Sequence, residues 1–354
     1  MTKRVAIICG GRSSEHEISC ISAGGVIAAI DRTLYEPLLI GITKDGSWVL
    51  IPEGHSMQIK DGVLPVVPAG ATKVIADVSG FSAEGKSLNI DLVFPLLHGP
   101  YGEDGTIQGL LEMADIAYVG SGVLASAVAM DKSFAKPIFA SHGIQTAPGI
   151  VVKKSEWQSD KASITKAVEA LGLPVFVKPA RGGSSRGTTK VKSLDALAAA
   201  ISEAHQFDSK AMIEKAIVGA EIECAVLEID GLPQASVVGQ IHIDSKFEFY
   251  DFEAKYLDGA TSIELSAPIS KASADEIKAS AIKAFRALGC AGLARVDFFL
   301  TPSGEVIINE LNTMPGFTAT SVFPKMWAAS GVDYSKVITY LLKSAEARSN
   351  SVLN

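Results

Sequence analysis

The sequence predicts an α/β fold, in which an N-terminal Rossmann-like parallel sheet domain precedes a region of α+β character. Short apolar runs alternate with helix signals over the first third of the chain, which is the rhythm of βαβ units. The last third contains consecutive strand signals, a pattern that favours antiparallel pairs. At 354 residues, with 47% apolar and 20% charged residues, the chain has a globular composition and room for about two or three domains.

The N-terminal elements follow from apolar runs and the turns between them. The run from Val5 to Cys9 is a short strand that ends at Gly10-Gly11, and Ser14 with Glu17 fits a capping box that opens a helix. No G-x-G-x-x-G follows this strand, which argues against a dinucleotide fingerprint. We expect strands at 5–9, 35–42 and 90–97 and helices at 14–30 and 106–113. Such βαβ units predict a binding crevice at the carboxyl ends of parallel strands.

The rest of the chain divides near residues 125 and 220. Helical signals at 125–142 lead to Pro148, after which strand and helix signals alternate again. We expect strands at 173–179, 188–191, 212–215, 221–229, 234–243, 294–300 and 305–310, and helices at 195–205 and 274–288. The predicted domains are 1–125, 126–220 and 221–354.

Charge, cysteine content and hydropathy restrict the class of protein. The net charge of −7 gives no basic surface for nucleic acid, and no apolar stretch has the length of a membrane-spanning helix. Four cysteines without C-x-x-C spacing favour reduced structural thiols over disulfides or a zinc site. The apolar run after the basic start is too short for a secretory signal. We therefore expect a cytoplasmic protein with no nucleic-acid and no membrane partner.

A predicted hairpin near the C-terminus carries the strongest chemical signal. Arg295 and Asp297 lie two apart on its first strand, and Glu310 and Asn312 lie two apart at the end of its second strand. Residues two apart on a strand share a face, so these side chains are expected to meet. Three oxygen ligands without His or Cys suit Mg²⁺, especially when phosphate oxygens complete the shell. The alternative is a hairpin with a solvated acidic edge.

A glycine-rich loop at 177–187 carries a second signal. Three glycines and the two serines Ser184 and Ser185 provide N–H and hydroxyl groups that can bind phosphate. The loop lacks the G-x-x-x-x-G-K-[ST] pattern, so an ordinary long hairpin loop is the alternative. Lys178 favours phosphate, because a lysine at the end of an apolar strand needs an anionic partner.

Two weaker signals accompany this loop. Lys132 stands at a helix start, where a solvated surface charge is the plain interpretation. The segment Glu214-Lys215-Ala216-Ile217 follows a short strand, and its backbone could contact an adenine edge, although such segments are common.

These motifs together resemble the D-alanine–D-alanine ligases of the ATP-grasp superfamily. The resemblance runs from residue 10 to about residue 342, and the order of the motifs makes it specific. The motifs are Gly-Gly-Arg-Ser-Ser-Glu-His-Glu-Ile-Ser at 10–19, Leu-His-Gly at 97–99, Gly-Glu-Asp-Gly-Thr-Ile-Gln-Gly at 102–109, Met-Asp-Lys at 130–132, the loop at 177–187, Tyr-Asp-Phe-Glu-Ala-Lys-Tyr at 250–256, Arg-Val-Asp at 295–297 and Asn-Glu-Leu-Asn-Thr-Met-Pro-Gly-Phe-Thr at 309–318.

The resemblance implies a two-lobed ATP-grasp fold after the N-terminal domain, with ATP clamped between two sheets. It implies that Lys132, Lys178 and Ser185 contact the phosphates and that Lys255 reaches the γ-phosphate from a mobile loop. It places Glu214, Lys215, Ala216 and Ile217 at the adenine and Glu221 at the ribose. It further implies that Asp297, Glu310 and Asn312 hold two Mg²⁺ ions, for which Mn²⁺ can substitute.

The resemblance also implies roles at the amino-acid site. Glu15 would orient the ammonium of the first D-alanine in a network with Ser184 and Tyr256. Arg295 and the Gly316 amide would hold the oxyanion of the tetrahedral intermediate. Ser321 and Val322 would meet the carboxylate of the second D-alanine. Without the resemblance, Glu15 would be read as a first-turn carboxylate favoured by the helix dipole, His98 as a hydrogen-bonded structural histidine and Tyr256 as a core residue.

Two positions depart from the common family pattern. Ala216 stands where many members carry an aromatic side chain near adenine. Arg186 adds an unusual charge to the phosphate loop, and we expect it to point into water. Segments 181–187 and about 244–264, which are glycine-rich or polar, are expected to act as lids.

The implied activity is ATP-dependent ligation of two D-alanines to D-alanyl-D-alanine, through an acyl phosphate, for peptidoglycan precursors. D-Alanine and ATP would be the substrates, and a homodimer is expected by family analogy. Three alternatives remain: a D-alanine–D-lactate or D-alanine–D-serine ligase, a non-catalytic nucleotide-binding regulator, and an ATP-grasp enzyme with an unrelated acid substrate. The preference for D chirality rests on the resemblance alone.

Overall fold

The first part of the chain forms a mixed eight-stranded sheet. The structure is a computed structural model, and it describes residues 2–183, 185–243 and 261–348. The strands are β1 (Lys3–Gly10), β2 (Tyr35–Ile42), β3 (Trp48–Leu50), β4 (Thr72–Asp77), β5 (Gly80–Ala83), β6 (Lys86–Ser87), β7 (Leu92–Pro95) and β8 (Ala117–Tyr118), in the spatial order β6-β5-β4-β3-β2-β1-β7-β8. Strand β1 pairs in parallel with β2 and β7, and β7 pairs in parallel with β8, which confirms the predicted parallel sheet. Strands β3 to β6 extend it by antiparallel pairs.

Two antiparallel sheets follow. The first has four strands in the order β11-β10-β12-β9, and the second has five strands in the order β15-β14-β13-β16-β17. Their bounds are β9 (Gly149–Lys153), β10 (Val175–Pro179), β11 (Thr189–Val191), β12 (Lys210–Lys215), β13 (Ala220–Ile229), β14 (Leu232–Ile243), β15 (Thr261–Leu265), β16 (Leu293–Leu300) and β17 (Val306–Asn312). These two sheets give the later part of the chain its α+β character.

Helices cover the faces of the three sheets. They are α1 (His16–Ala29), α2 (Thr106–Met113), α3 (Val123–Met130), α4 (Lys132–Ser141), α5 (Lys154–Ser159), α6 (Lys161–Leu171), α7 (Leu197–Phe207), α8 (Lys271–Ala287), α9 (Val322–Ala329) and α10 (Tyr334–Ala347). In the described ranges, no helix combines the length and the apolar character needed to cross a membrane. All four cysteines are buried and unbridged.

The start of α1 corrects one expectation. The predicted capping box of Ser14 and Glu17 is wrong, because Glu15 is the N-cap residue and no side chain caps the helix there. The helix is held instead by Ser19, whose hydroxyl accepts from Gly10 N at 2.8 Å and donates to Leu96 O at 2.5 Å. These bonds fix the first turn of α1 against the carboxyl ends of β1 and β7.

One hydrophobic core joins the N-terminal sheet to the C-terminal helices. Phe317 lies in this core, with its ring centroid 5.5 Å from that of Phe94 on β7 and 5.5 Å from that of Tyr334 on α10. Arg348, just after α10, donates to the carbonyls of Tyr118 and Gly120. The C-terminal turn that contains Gly316 is therefore packed directly against the N-terminal sheet.

Candidate active site

A cavity of about 530 Å³ lies between the four-stranded and the five-stranded sheets. Its described lining includes two lysines and two carboxylates that the sequence singled out. These are Lys132, Lys178, Asp297 and Glu310. Residues far apart in sequence therefore meet in one concave site of the size that small ligands occupy.

Lys132 is buried, which contradicts its plain interpretation as a solvated surface charge. It is the first residue of α4 and is 8% exposed. Its Nζ donates to Gly182 O at 2.9 Å and lies 3.0 Å from Glu310 Oε2. Burial disfavours the charge, but Glu310 outweighs this cost and raises the pKa of Lys132 above its usual value.

Lys178 has the anionic partner that its position at the end of a strand demands. Its Nζ lies 2.6 Å from Glu214 Oε2 and donates to Asn309 Oδ1 at 3.3 Å. Glu214 is 3% exposed and also binds Lys136, on α4. Although burial opposes ionisation, Lys178 and Lys136 hold the pKa of Glu214 at about 2.

The predicted acidic face exists on β16 and β17. In the antiparallel register Asp297 stands opposite Glu310, and Arg295 stands opposite Asn312, so the four side chains share a face. Arg295 Nε and Nη2 donate to the two oxygens of Asp297 at 2.8 and 2.7 Å. Asn312 Nδ2 donates to Asp297 at 3.1 Å. The edge is partly buried in the cavity, so the solvated alternative is wrong.

Glu223 extends this face, although no sequence motif singled it out. It stands on β13 opposite Asp297, is 3% exposed, and its Oε2 lies 3.3 Å from Arg295 Nε. Its two-residue spacing from Glu221 was the available signal, because both carboxylates line the cavity. Two carboxylates therefore fix the guanidinium of Arg295.

The segment predicted to contact adenine lines the cavity over its whole length. Glu214, Lys215, Ala216, Ile217 and Glu221 all belong to the lining. The backbone N–H groups of Lys215 and Ala216 already donate to Pro148 O at 2.9 Å and Pro174 O at 3.0 Å. Carbonyl groups, rather than these two N–H groups, are therefore what residues 215 and 216 offer to a ligand.

The glycine-rich loop is anchored at both ends. Arg181 donates to Asp208 through Nε, Nη2 and its backbone N at 3.1, 2.7 and 2.9 Å. Gly187 has φ +68°, and a Cβ there would lie 2.5 Å from Phe207 Cδ2, so glycine is required. Ser185 and Arg186 line the cavity. Arg186, expected to point into water, is exposed at that lining.

Glu15 lies between two of the predicted loops. Its Oε2 is 3.3 Å from a Cβ built at Gly99 and 3.9 Å from one built at Gly183. The carboxylate therefore lies next to Gly99, in the Leu-His-Gly turn, and next to Gly183, which precedes Ser184. Ser184 itself, Lys255, Tyr256 and most of the predicted 244–264 lid lie outside the described residues.

Both polar groups of the Met314 backbone are bound by the N-terminal part of the chain. Met314 N donates to Glu103 Oε1 at 3.2 Å, and Met314 O pairs with His98 Nδ1 at 3.1 Å. Glu103 Oε2 also accepts from Gly99 N at 2.7 Å. Burial raises the pKa of Glu103 to about 8, with Glu15 adding to the shift, and burial lowers the pKa of His98.

The turn that follows Met314 is organised around Ser321, the N-cap residue of α9. Ser321 Oγ accepts from Thr318 N at 3.1 Å and lies 3.2 Å from a Cβ built at Gly316. Gly316, Ser321 and the first residue of α9, Val322, are therefore close together. The helix N-terminus at Ser321 is electrostatically suited to a carboxylate.

Family models match both parts of the chain. The model described as "D-ala D-ala ligase N-terminus" matches residues 4–121, and the model described as "D-ala D-ala ligase C-terminus" matches residues 138–343. Together they cover most of the chain.

Curated relatives are similar over nearly their whole length. A protein from Paenarthrobacter aurescens named D-alanine–D-alanine ligase is 50% identical, over 98% of this chain and 95% of its own. One of the same name from Mycolicibacterium smegmatis is 47% identical, over 98% of this chain and 96% of its own.

Solved structures share the fold. The VanG D-Ala:D-Ser ligase from Enterococcus faecalis is 36% identical with a TM-score of 0.86, over 98% of this chain and all (100%) of that one. The D-alanine-D-alanine ligase from Coxiella burnetii is 33% identical with a TM-score of 0.83, over 97% of this chain and 94% of that one.

Proposed function

The chain belongs to the D-alanine–D-alanine ligase family, and we propose which of its residues serve each step of the reaction. The activity is ATP-dependent joining of two D-alanines for cell-wall synthesis. The observation that carries the assignment is the meeting of Lys132 and Lys178 with Asp297 and Glu310 in one cavity. Cations for phosphate and oxygen ligands for a metal ion are the two requirements of phosphoryl transfer.

The chemistry explains why ATP is consumed. A carboxylate is a poor acyl donor, because its leaving group would be oxide. Transfer of the γ-phosphoryl group of ATP to the carboxylate of the first D-alanine gives an acyl phosphate and ADP. The amine of the second D-alanine then attacks the acyl carbon, the C–O bond to phosphate breaks, and inorganic phosphate leaves with the dipeptide as product.

ATP fits the cavity by volume and by charge. We assign its phosphates to Lys132, Lys178 and the loop with Ser185, since all three line the cavity. Glu214, Lys215, Ala216 and Ile217 supply the adenine site, and Glu221 the ribose site. From the family resemblance, Lys255 reaches the γ-phosphate.

The donor set on β16 and β17 fits Mg²⁺. Asp297, Glu310 and Asn312 offer two carboxylates and one amide oxygen on one face, which suits a hard cation that keeps phosphate ligands. Within the described ranges, no three His, Cys, Asp or Glu side chains form a metal-binding group, so the proposed site would also draw on the Asn312 amide and on phosphate oxygens. When bound, two Mg²⁺ or Mn²⁺ ions would neutralise phosphate charge.

The amino-acid subsites lie between the N-terminal sheet and the Gly316 turn. Glu15 holds the ammonium of the first D-alanine, together with Ser184 and Tyr256. Arg295, fixed by Asp297 and Glu223, stabilises the oxyanion with the Gly316 amide. Ser321 and the amide of Val322 receive the carboxylate of the second D-alanine.

The second substrate is the main point on which a rival remains. The E. faecalis neighbour is a D-Ala:D-Ser ligase, so D-serine is a specific alternative to D-alanine. The Glu-Ala-Lys-Tyr context of Tyr256 favours the dipeptide over D-alanyl-D-lactate. From family membership alone we further propose a homodimer that works in the cytoplasm, which sedimentation and fractionation would check.

Phosphate release tests the assignment directly. ATP and Mg²⁺ are supplied with D-alanine, L-alanine, D-lactate or D-serine, and then with D-alanine plus each of the others, and the products are separated. We expect fast release with D-alanine and D-alanyl-D-alanine as the main product. Predominant D-alanyl-D-serine or depsipeptide would replace the assignment by its rival. No release with any of these four acids would favour a non-catalytic nucleotide-binding regulator or an ATP-grasp enzyme with an unrelated acid substrate.

A further inference from the structure

The inner face of α4 carries two lysines one helical turn apart. The buried residues of this helix are Lys132, Ala135, Lys136 and Phe139, at the spacing of a single helix face. Lys136 is 5% exposed, and the reaction assigned above gives it no role. The described lining of the cavity includes Glu214 and Lys178 and leaves Lys136 behind Glu214.

Glu214 connects Lys136 to the cavity. One oxygen of Glu214 binds Lys136 Nζ, and the other lies 2.6 Å from Lys178 Nζ. A buried ionised carboxylate without a partner is costly, so Glu214 needs at least one of these ammonium groups at all times.

The net charge of Lys136, Lys178 and Glu214 determines how strongly Lys178 attracts a phosphate. Two ammonium groups and one carboxylate leave one net positive charge at this wall of the cavity. With Lys136 removed, Lys178 and Glu214 would form a neutral pair. Lys178 would then have to serve a buried carboxylate and an anionic ligand with the same charge, and its attraction for the ligand would be largely cancelled.

We propose that Lys136 is a positioning residue for nucleotide binding: it neutralises Glu214 so that the charge of Lys178 is left for the phosphates. This role rests on the proposed function, in which the cavity binds ATP. It deepens that function by assigning part of the phosphate affinity to a side chain behind the cavity wall.

The test compares two ligands that differ only in phosphate. Binding of ATP and of adenosine is measured by calorimetry for the wild type and for Lys136→Met, which keeps an unbranched side chain only one heavy atom shorter and removes its charge. We expect ATP affinity to fall roughly tenfold or more, a free-energy change of about 1.4 kcal/mol, while adenosine affinity changes less than about twofold. Lys283→Met, which removes an exposed lysine on α8, is the matched control and should bind both ligands as the wild type does.

A second variant separates the charge effect from damage to the fold. In Lys136→Met/Glu214→Gln neither partner is charged, so no buried carboxylate competes for Lys178. Because Glu214 also belongs to the proposed adenine site, the readout is the ratio of ATP affinity to adenosine affinity. We expect this ratio to be higher in the double variant than in Lys136→Met, whereas a purely structural role predicts additive losses. A parallel fall in adenosine and ATP affinity, or no recovery in the double variant, would overturn the role of Lys136.

The outcomes distinguish this role from the proposed function. A wild type that binds ATP and releases phosphate with D-alanine, combined with a Lys136→Met variant of unchanged ATP affinity, overturns only the role of Lys136. A wild type that binds no ATP overturns both.

Discussion

Nζ of Lys132, at the start of α4, lies 3.0 Å from Oε2 of Glu310, near the end of β17. The same Nζ donates to Gly182 O at 2.9 Å, so one ammonium group connects the glycine-rich loop to the acidic face. The proposed phosphate site and the proposed metal site therefore share a side chain. A substitution in either site is therefore expected to affect ligand binding at the other.

The first prediction concerns Glu310→Gln. We expect kcat/KM to fall roughly 100-fold or more, because an amide is a poorer metal ligand and leaves Lys132 without its carboxylate. The thermal unfolding midpoint should change by less than about 3 °C, since the oxygen of the amide can still accept a hydrogen bond from Lys132. Steady-state kinetics and a melting curve measure both. Glu305→Gln, in the exposed hairpin turn, is the control, and near-normal activity in Glu310→Gln would remove Glu310 from the metal site.

The second prediction concerns Gly187→Ala in the phosphate loop. The residue has φ +68°, and the new Cβ would lie 2.5 Å from Phe207, so the loop must shift. We expect about a tenfold loss of ATP affinity by calorimetry.

Gly289→Ala is a matched control for this change. Its φ is +67°, and a Cβ there meets no described atom within 4 Å, so it imposes the same backbone strain away from the cavity. Gly289→Ala should lose some thermal stability and keep its ATP affinity. Equal losses of ATP affinity in the two variants would contradict a local effect on the phosphate loop.

The third prediction concerns pH and Glu103. The pKa of Glu103 in the folded protein, about 8, lies above the ordinary glutamate value in the unfolded chain. Between these values the folded state binds more protons, so raising the pH through this interval lowers the stability. The group faces Glu15, which raises its pKa further, and Arg295 and two backbone N–H groups, which oppose the shift.

Glu103→Gln should remove this pH dependence. An amide presents only one acceptor oxygen, so one of the bonds to Gly99 N and Met314 N is lost, at a cost of about 1–3 kcal/mol. The variant should therefore be less stable than the wild type at pH 5.5, and the difference should shrink toward pH 8.5. Melting curves at several pH values measure this, and a difference that grows with pH would refute the assignment.

The fourth prediction concerns Ser321→Ala. Thr318 N would lose its acceptor at 3.1 Å, and the turn between Gly316 and α9 would loosen. We expect KM for the second D-alanine to rise about tenfold with a smaller change in kcat, because the proposed role of Ser321 is to position a substrate carboxylate. Initial rates over a D-alanine series provide the numbers. Ser303→Ala, in the exposed turn before β17, should match the wild type; an unchanged KM in Ser321→Ala would exclude the turn from substrate binding.

Elements with continuous apolar runs were predictable from the sequence. The strand expected at 35–42 and the helix expected at 106–113 have those bounds in the structure, because each is bordered by turn residues or by Gly105. The predicted capping box of α1 failed, since its first turn is fixed by Ser19 bonding to β1 and β7 rather than by a local cap. Local patterns do not encode such long-range bonds.

The site was predictable where spacing or family motifs revealed it, and not where burial pairs distant charges. The shared face of Asp297 and Glu310 followed from two-residue spacing and was confirmed by the register. The contacts of Lys136, Glu223 and Glu103 were not predicted, although Glu103 lies in the motif at 102–109, because a charged residue is ordinarily assigned to solvent. Only the fold brings Lys136 to Glu214 or Glu103 to Met314. The roles of the site residues stay predictions until variants are measured.

The hydrogen bonds from Glu103 and His98 to the backbone of Met314 have a consequence for protein engineering. The turn proposed to bind the second substrate belongs to the C-terminal part of the chain, whereas the two side chains that bind the backbone of Met314 come from the N-terminal part. A chimera that joins the first half of one ligase to the second half of another would contain the turn of one protein and the residues that bind it, at positions 98 and 103, from the other. Exchanging residues 97–104 together with 313–316 would keep the two as one transplantable unit.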